Sequence, residues 1–358
     1  MISWVFDWDY IKKFFYEKQE NGAIRTTRIF GFVMQYVINQ YYRDFVGILE
    51  FIKPNTDDVH IDKLINKYKK LSKKKRISAK HYLEDYKIMK NVLKNIHPQN
   101  IKCNNNVIRN IQFSSLDLAK EILSDINKNT DIKLWLDGGT LLGAIRHKGF
   151  IPWDDDMDFA MLRDDYKKLL EYFQNKYQVI NTDKWERYSF SDKIKEVLRD
   201  LPNKVLVVRM HTALKIVKGT EDKFVILDFF AWDYFNDCHN VITLQEYTNK
   251  IKSKLRQKKT YKEIFEIYDE EINKKTDIVD KSDVLQPGID NSGFLNIGRK
   301  EIVRYNDIFP LQTVQFEDWE FYAPNNYHVY LKSLYNFYNE IPVTGLKICQ
   351  HSNVADSN

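Results

Sequence analysis

Cysteine is scarce in this sequence. Cys103, Cys238 and Cys349 lie far apart and form no Cys-x-x-Cys pair, which excludes a disulfide framework and argues against a cysteine-built zinc site. A dominant charge is missing too: 55 basic residues stand against 50 acidic ones, so the net +5 selects no class of partner by itself. Long hydrophobic runs are absent. The longest uncharged, apolar-looking stretch near the start, Ile29–Tyr42, has 14 residues, too few to span a bilayer. Asp7, Asp9 and Lys12 interrupt the first apolar residues, so no secretory signal is expected. There is no internal repeat and no low-complexity linker. Basic residues do not interleave with aromatics on any clear surface, which argues against a nucleic-acid partner. A cytoplasmic protein is expected, with peripheral contact at the cytosolic membrane face left open.

What the chain does have is apolar mass. With 43% hydrophobic and 14% aromatic residues over 358 positions, it can build one large core or two. Residues 1–112 read as a mainly helical region of unknown role. "IDKLINKYKKL" sets Ile61, Leu64, Ile65 and Tyr68 on one helical face. The basic cluster Lys69–Arg76 reads as a solvated helix end, or as a patch drawn to anionic lipid or a polyanionic glycan. Trp4, Phe6, Trp8, Tyr10, Phe14 and Phe15 either dock a terminal helix on the body or meet a membrane interface.

Residues 113–358 read differently. "LDLAKEILSDINKNTDIKLWLDGGTLLGAIR" predicts a helix, a short strand at Lys133–Leu136, a turn at Gly138-Gly139, and a second helix from near Thr140. An acidic strand follows at Asp156–Met161. Tyr166, Leu169, Leu170, Phe173 and Tyr177 then mark an amphipathic helix. "LKIVKGTEDKFVILDFFAWDYF" reads as a hairpin turning at Gly219–Asp222 and burying Asp228 in an apolar run. Residues 240–285 read as helical. A strand pair around Phe316–Tyr322 and a helix ending near Tyr338 close the pattern.

The chemistry gathers in "GFIPWDDDMDF", Gly149–Phe159. Side chains alternate along a strand, so Asp156 and Asp158 share one face while Met157, Phe159 and Met161 enter the core. Two carboxylates on one face repel unless a cation lies between them, and hard oxygen donors favour Mg²⁺ or Mn²⁺. Asp228, on a second apolar strand, is the natural third ligand. The plainer alternative is a capping or loop acid cluster. Asp154 and Asp155 read as loop-shaping acids.

Gly138-Gly139-Thr140 opens a helix, and such a turn presents backbone N–H groups to phosphate oxygens. Arg146, ending that helix, can clamp a phosphate with two donors. His147 reads equally well as structural. Lys215, on the strand before Asp228, reads either as a phosphate contact or as a surface lysine.

The stretch Trp135–Tyr166, "WLDGGTLLGAIRHKGFIPWDDDMDFAMLRDDY", closely resembles the central motif of the LicD family, which includes bacterial phosphocholine transferases and the animal fukutin-related proteins. "ILDFFAWDYF" is similar to that family's later acid-bearing strand, and Ile308–Pro342 to its C-terminal segment. The resemblance spans about residues 113–342. Ala231, Asp318 and Asn336 stand where the family often has proline, glycine and glycine. None of these departures touches the acids, and no cysteine set answers to the zinc site of fukutin-related protein.

The resemblance implies an α+β fold: a nucleotidyltransferase-like small mixed sheet flanked by helices. It implies transfer of a phospho-alcohol, phosphocholine first, from a CDP-activated donor such as CDP-choline to a sugar hydroxyl of a cell-surface glycan, with CMP released. A lipid-linked acceptor fits such assembly. By motif position Asp156, Asp158 and Asp228 would hold Mg²⁺ or Mn²⁺, and Gly139 and Thr140 would face the donor phosphates. Two rivals remain: a nucleotidyltransferase that uses an NTP, and a catalytically silent glycan-assembly scaffold.

Overall fold

The computed structural model describes residues 16–21, 24–29, 32–37, 40–56, 60–74, 76–103, 105–182, 190–200, 204–210, 213–219, 224–236, 253–254, 260–273, 278–288, 303–335 and 338–341. The aromatic segment Trp4–Phe15, the turn after Gly219 and much of 240–260 lie outside them. The described residues form two compact units: one ending at Cys103 and including Glu340 and Ile341, the other running from Asn105 to Asn339.

In the first unit, strands β1 (Tyr16–Asn21), β2 (Ile24–Ile29) and β3 (Phe32–Val37) form an antiparallel meander, completed by β4 (Ile77–Ser78). Helices α1 (Gln40–Ile52), α2 (Ile61–Leu71) and α3 (Ala79–Lys94) accompany it. The helices match expectation. The sheet is an addition to the expected helices, and its local signals were the Asn21-Gly22 pair and the β-branched run Ile24–Ile29 after it. The described part of the apolar stretch Ile29–Tyr42 falls in the end of β2, in β3 and in the start of α1, which buries Tyr42 and Phe45. These rings meet Tyr68 and Tyr82, with Phe45 stacked on Tyr82 at 5.7 Å. The cluster encloses Asp85, only 1% exposed, which accepts from Tyr42 Oη at 2.9 Å and Lys67 Nζ at 2.5 Å. A buried carboxylate is tolerated when it is paired and hydrogen-bonded in this way.

The second unit opens with α4 (Asn106–Asn129). Asn105 caps it by accepting from Val107 N and Ile108 N. The helix has no glycine or proline, and it buries Ile108, Gln112, Ser115, Leu116, Ala119, Ile122, Leu123 and Ile126 along one stripe. Next come β5 (Leu134–Leu136), α5 (Gly138–His147), β6 (Met157–Leu162) and α6 (Arg163–Lys176). The remaining strands are β7 (Gln178–Asn181), β8 (Val205–Arg209), β9 (Leu214–Gly219), β10 (Phe224–Phe235), β11 (Ile278–Val279), β12 (Val284–Pro287) and β13 (Val303–Arg304). With β5 and β6 they make a nine-stranded mixed sheet. The remaining helices are α7 (Phe190–Asp200), α8 (Tyr261–Asn273), α9 (Tyr305–Ile308) and α10 (Tyr327–Leu334), and β14 (Gln312–Phe316) pairs with β15 (Trp319–Ala323). Where a helix was expected over 240–285, the described residues show α8 and helical residues 253–254 but also β11 and the start of β12, and the last helix stops at Leu334.

β10 is the centre. It runs parallel to β6 and antiparallel to β9 and β12. Ten of its twelve residues are buried, the near-continuous apolar pattern of a strand covered on both faces. Phe159 pairs with Phe229 in register, and their rings stack at 5.4 Å with Phe173 of α6 at 6.0 Å. Full burial of such a side chain contributes about 1.5–3 kcal/mol. At the far end of the same strands Arg163 grips buried Asp233 through Nε at 2.9 Å and Nη2 at 2.7 Å. A mixed sheet flanked by helices is the nucleotidyltransferase-like arrangement.

Candidate active site

β5 runs antiparallel to β6, with Leu136 opposite Phe159. The next residue, Asp137, therefore adjoins Asp158, and its N–H donates to the Asp158 carbonyl at 3.0 Å. Asp137 caps α5, accepting from Gly138 N at 2.7 Å. Gly138 takes φ +49°, a left-handed value that glycine adopts without penalty. A Cβ there would lie 2.7 Å from Asp158 Oδ2, and one on Gly139 would lie 2.7 Å from Asp154 Oδ2. The missing side chains let the acids pack directly against the helix N-terminus. Thr140 Oγ1 accepts from Asp158 N at 2.7 Å, tying the turn to the acid strand.

The parallel register of β6 and β10 sets Asp158 directly beside Asp228. Asp156 precedes β6 by one residue. Oxygens of Asp156, Asp158 and Asp228 all lie within 4.8 Å of one another, as do those of Asp154, Asp155 and Asp156. The antiparallel register of β9 and β10 sets Lys215 opposite Asp228, and its ammonium contacts both carboxylate oxygens. One face of the sheet thus carries a row of cation, anion and anion: Lys215, Asp228, Asp158. Burial, followed by Asp156, Asp228, Asp154 and Asp137, pushes the Asp158 carboxyl well above the usual carboxylate range. An all-carboxylate donor set with mutual repulsion fits a hard divalent cation, and the described residues at this site offer no thiolate or imidazole ligand.

The structure brings together Gly138, Gly139, Thr140, Asp156, Asp158, Asp228 and Lys215. Arg146 differs. It is buried, and it donates from Nη1 to the Tyr338 carbonyl at 3.1 Å and from Nε to His147 Nε2 at 3.0 Å. Burial draws its guanidinium down to about 10, against the pull of Tyr335 and Asp154, so it stays charged at neutral pH. These bonds, one to the neighbouring His147 and one to the C-terminal segment, engage Nε and Nη1 of the expected phosphate clamp with the protein itself.

Three residues escaped sequence reasoning. Asp137 carries a local signal, an acid immediately before a helix-opening turn. Tyr330 Oη donates to Asp137 Oδ1 at 2.6 Å and accepts from Trp135 Nε1 at 3.2 Å, while its ring stacks on Trp232 at 5.0 Å. Burial and then Asp158, Asp137 and Asp154 push the Tyr335 phenol up, keeping a protonated hydroxyl close to the acids. Both tyrosines lie nearly two hundred positions from Asp137, and nothing local announces them.

A mixed sheet that presents paired acids beside a glycine turn at a helix N-terminus defines a nucleotidyltransferase-like domain. Residues 131–200 match the family described as LicD/FKTN/FKRP, nucleotidyltransferase domain. The match covers 70 of the chain's 358 residues. It is similar to the lipopolysaccharide cholinephosphotransferase LicD of Haemophilus influenzae, with 57% identity over 47 residues, 13% of this chain and 18% of that protein. It is also similar to the human ribitol 5-phosphate transferase FKRP, with 50% identity over 34 residues, 10% of this chain and 7% of that protein. The matches therefore span well under a third of the curated relatives' lengths.

Proposed function

We propose that this protein transfers a phospho-alcohol, phosphocholine first among the candidates, from a CDP-activated donor to a sugar hydroxyl of a cell-surface glycan, and releases CMP. The observation that carries the reading is the convergence of Asp156, Asp158 and Asp228 beside the Gly138–Gly139 turn, with all but Asp228 inside residues 131–200, the stretch that matches the family's nucleotidyltransferase domain.

The acceptor hydroxyl oxygen attacks the phosphorus that bears the alcohol. The bond from that phosphorus to the bridging oxygen breaks, and CMP leaves with the electron pair. Asp156, Asp158 and Asp228 would hold Mg²⁺ or Mn²⁺. When bound, such an ion neutralises the diphosphate charge and helps align attack with departure. Gly139 and Thr140, at the N-terminus of α5, would face the donor phosphates. Asp228 would also accept the hydroxyl proton, and Lys215, paired with it, would contact a donor phosphate. Asp154 and Asp155 shape the loop.

No helix among the described residues is long and apolar enough to cross a membrane. A lipid-linked acceptor would then require peripheral contact at the cytosolic face, and the first unit is the candidate to make it. The test of function is mass spectrometry of CMP release across CDP-choline, CDP-ribitol, CDP-glycerol and CDP-ethanolamine, with Mg²⁺ or Mn²⁺ and a glycan acceptor. Consumption of CTP with pyrophosphate release, and no CDP-alcohol turnover, would instead favour a nucleotidyltransferase. Absence of both reactions and of metal binding would favour a silent scaffold.

A further inference from the structure

The loop from Lys148 to Asp156 carries three acids, and it is held from outside by residues that lie beyond the central motif and that the proposed chemistry does not use. Glu317, in the turn between β14 and β15, holds its near end. Its N–H donates to the Lys148 carbonyl at 2.9 Å, and its Oε1 accepts from Phe150 N at 3.1 Å. Gln112 of α4 holds the rest, donating from Nε2 to the Ile151 carbonyl at 3.1 Å and the Asp154 carbonyl at 2.8 Å.

Arg109 joins the two holders. Its guanidinium makes a two-point pair with Glu317, Nη1 to Oε1 at 2.8 Å and Nη2 to Oε2 at 2.7 Å. The same Nη1 donates to Gln112 Oε1 at 2.9 Å. That bond fixes which end of the amide is oxygen, and so turns both N–H groups of Gln112 to the loop. Gln112 is fully buried, and Glu317 and Arg109 are only partly exposed. Two further details show a built contact. Glu317 holds a left-handed φ of 53°, which costs a non-glycine residue free energy and persists where surroundings enforce it. Gly149 admits no side chain, since a Cβ there would lie 2.3 Å from Glu317 Oε1.

We propose that Arg109, Gln112 and Glu317 are positioning residues that set the acid-bearing loop, and through it the placement of Asp154 and Asp156 against Asp158 and Asp228. The consequence for metal rests on the proposed function. The bland alternative is a staple that only fastens the β14–β15 hairpin to α4. The structure supplies an internal control: Lys120 of α4 pairs with Asp318 of the same turn at 2.8 Å, yet the contacts shown for this pair do not reach the loop.

The test uses the full chain. Hydrogen exchange by mass spectrometry follows residues 149–157, Mn²⁺ titration by electron paramagnetic resonance follows the acids, and thermal melting follows the fold. Gln112→Leu and Glu317→Gln should each speed exchange in that segment and weaken Mn²⁺ binding by about 10-fold, the usual effect of losing a group that orients a ligand. Arg109→Lys should recover part of what Arg109→Met loses. Lys120→Gln should leave segment exchange and Mn²⁺ binding unchanged. Should Gln112→Leu fail to fold, Glu317→Gln, which keeps the side chain's size, still decides. Segment exchange in Glu317→Gln and Arg109→Met equal to that of Lys120→Gln would overturn the proposal. If the parent itself binds no Mn²⁺, the metal reading falls, while the exchange measurement still decides whether these residues set the loop.

Discussion

Lys215 and Asp228 face each other across β9 and β10, ammonium against carboxylate, both largely buried. On its other side Asp228 lies in register with Asp158. One carboxylate therefore stands between a fixed cation and a second acid. A bound divalent ion would contend with Lys215 for Asp228. Lys215→Met should accordingly tighten Mn²⁺ binding while raising the donor KM about 10-fold, the worth of one charged hydrogen bond of about 1.5 kcal/mol. Calorimetric Mn²⁺ titration beside steady-state kinetics checks both. Weaker metal binding in the variant would show that the lysine supports the ion rather than competing with it.

Asp156→Asn, Asp158→Asn and Asp228→Asn should each remove most turnover while far-ultraviolet circular dichroism stays unchanged. A carboxylate lost from a bound ion forfeits several kcal/mol of transition-state charge stabilisation. Asp154→Asn should be milder. Single-turnover CMP release is the measurement, and near-parental rates at saturating metal would take that residue out of the site.

Asp158 has a second consequence, for stability. Its carboxyl is pushed above the ordinary 3.8, first by burial and then by four neighbouring acids. The metal-free folded state thus holds a proton that the unfolded chain releases. That contribution is complete below the unfolded value and is lost as pH rises through the raised folded value. Asp158→Asn removes the loss, so at neutral pH in EDTA the variant should be more stable than the parent by about 1 kcal/mol. Denaturant melts from pH 4 to 8 test this. A gap between parent and variant that fails to widen with pH would contradict the assignment.

Activity should vanish in EDTA and return with Mg²⁺ or Mn²⁺. Ca²⁺ should restore it poorly, because its loose coordination holds in-line geometry badly. Full turnover after chelation, with metal content checked by elemental analysis, would rule out the metal mechanism.

The first unit yields a prediction that opposes two readings. Lys69 pairs with Glu50 at 2.6 Å and Lys67 with Asp85, so part of its basic surface is already neutralised. Residual attraction to an anionic membrane would come from Lys70, Lys73 and Lys74, at about 1 kcal/mol per residue near the surface. Sedimentation with phosphatidylserine vesicles should carry the protein down at low salt and release it at high salt. A protein that stays in the supernatant throughout would leave the first unit as a structural cap.

The amino-acid sequence by itself determined what depends on near neighbours. Period-two alternation put Asp156 and Asp158 on one face and Met157, Phe159 and Met161 in the core. A helical stripe defined α6, and an acid within "VILDFF" marked Asp228. Only tertiary structure decided which strands pair. The parallel register that sets Asp228 beside Asp158, 70 positions away, and the antiparallel one that brings Lys215 onto it are products of a hydrogen-bond ladder. No local preference encodes that ladder. The pairing of Arg109 with Glu317, 208 positions apart, and the turning of Arg146 toward the Tyr338 carbonyl belong to the same class. Side-chain alternation is a property of one strand, whereas a site is made where several strands and helices are held at a common register by the packing of their opposite faces.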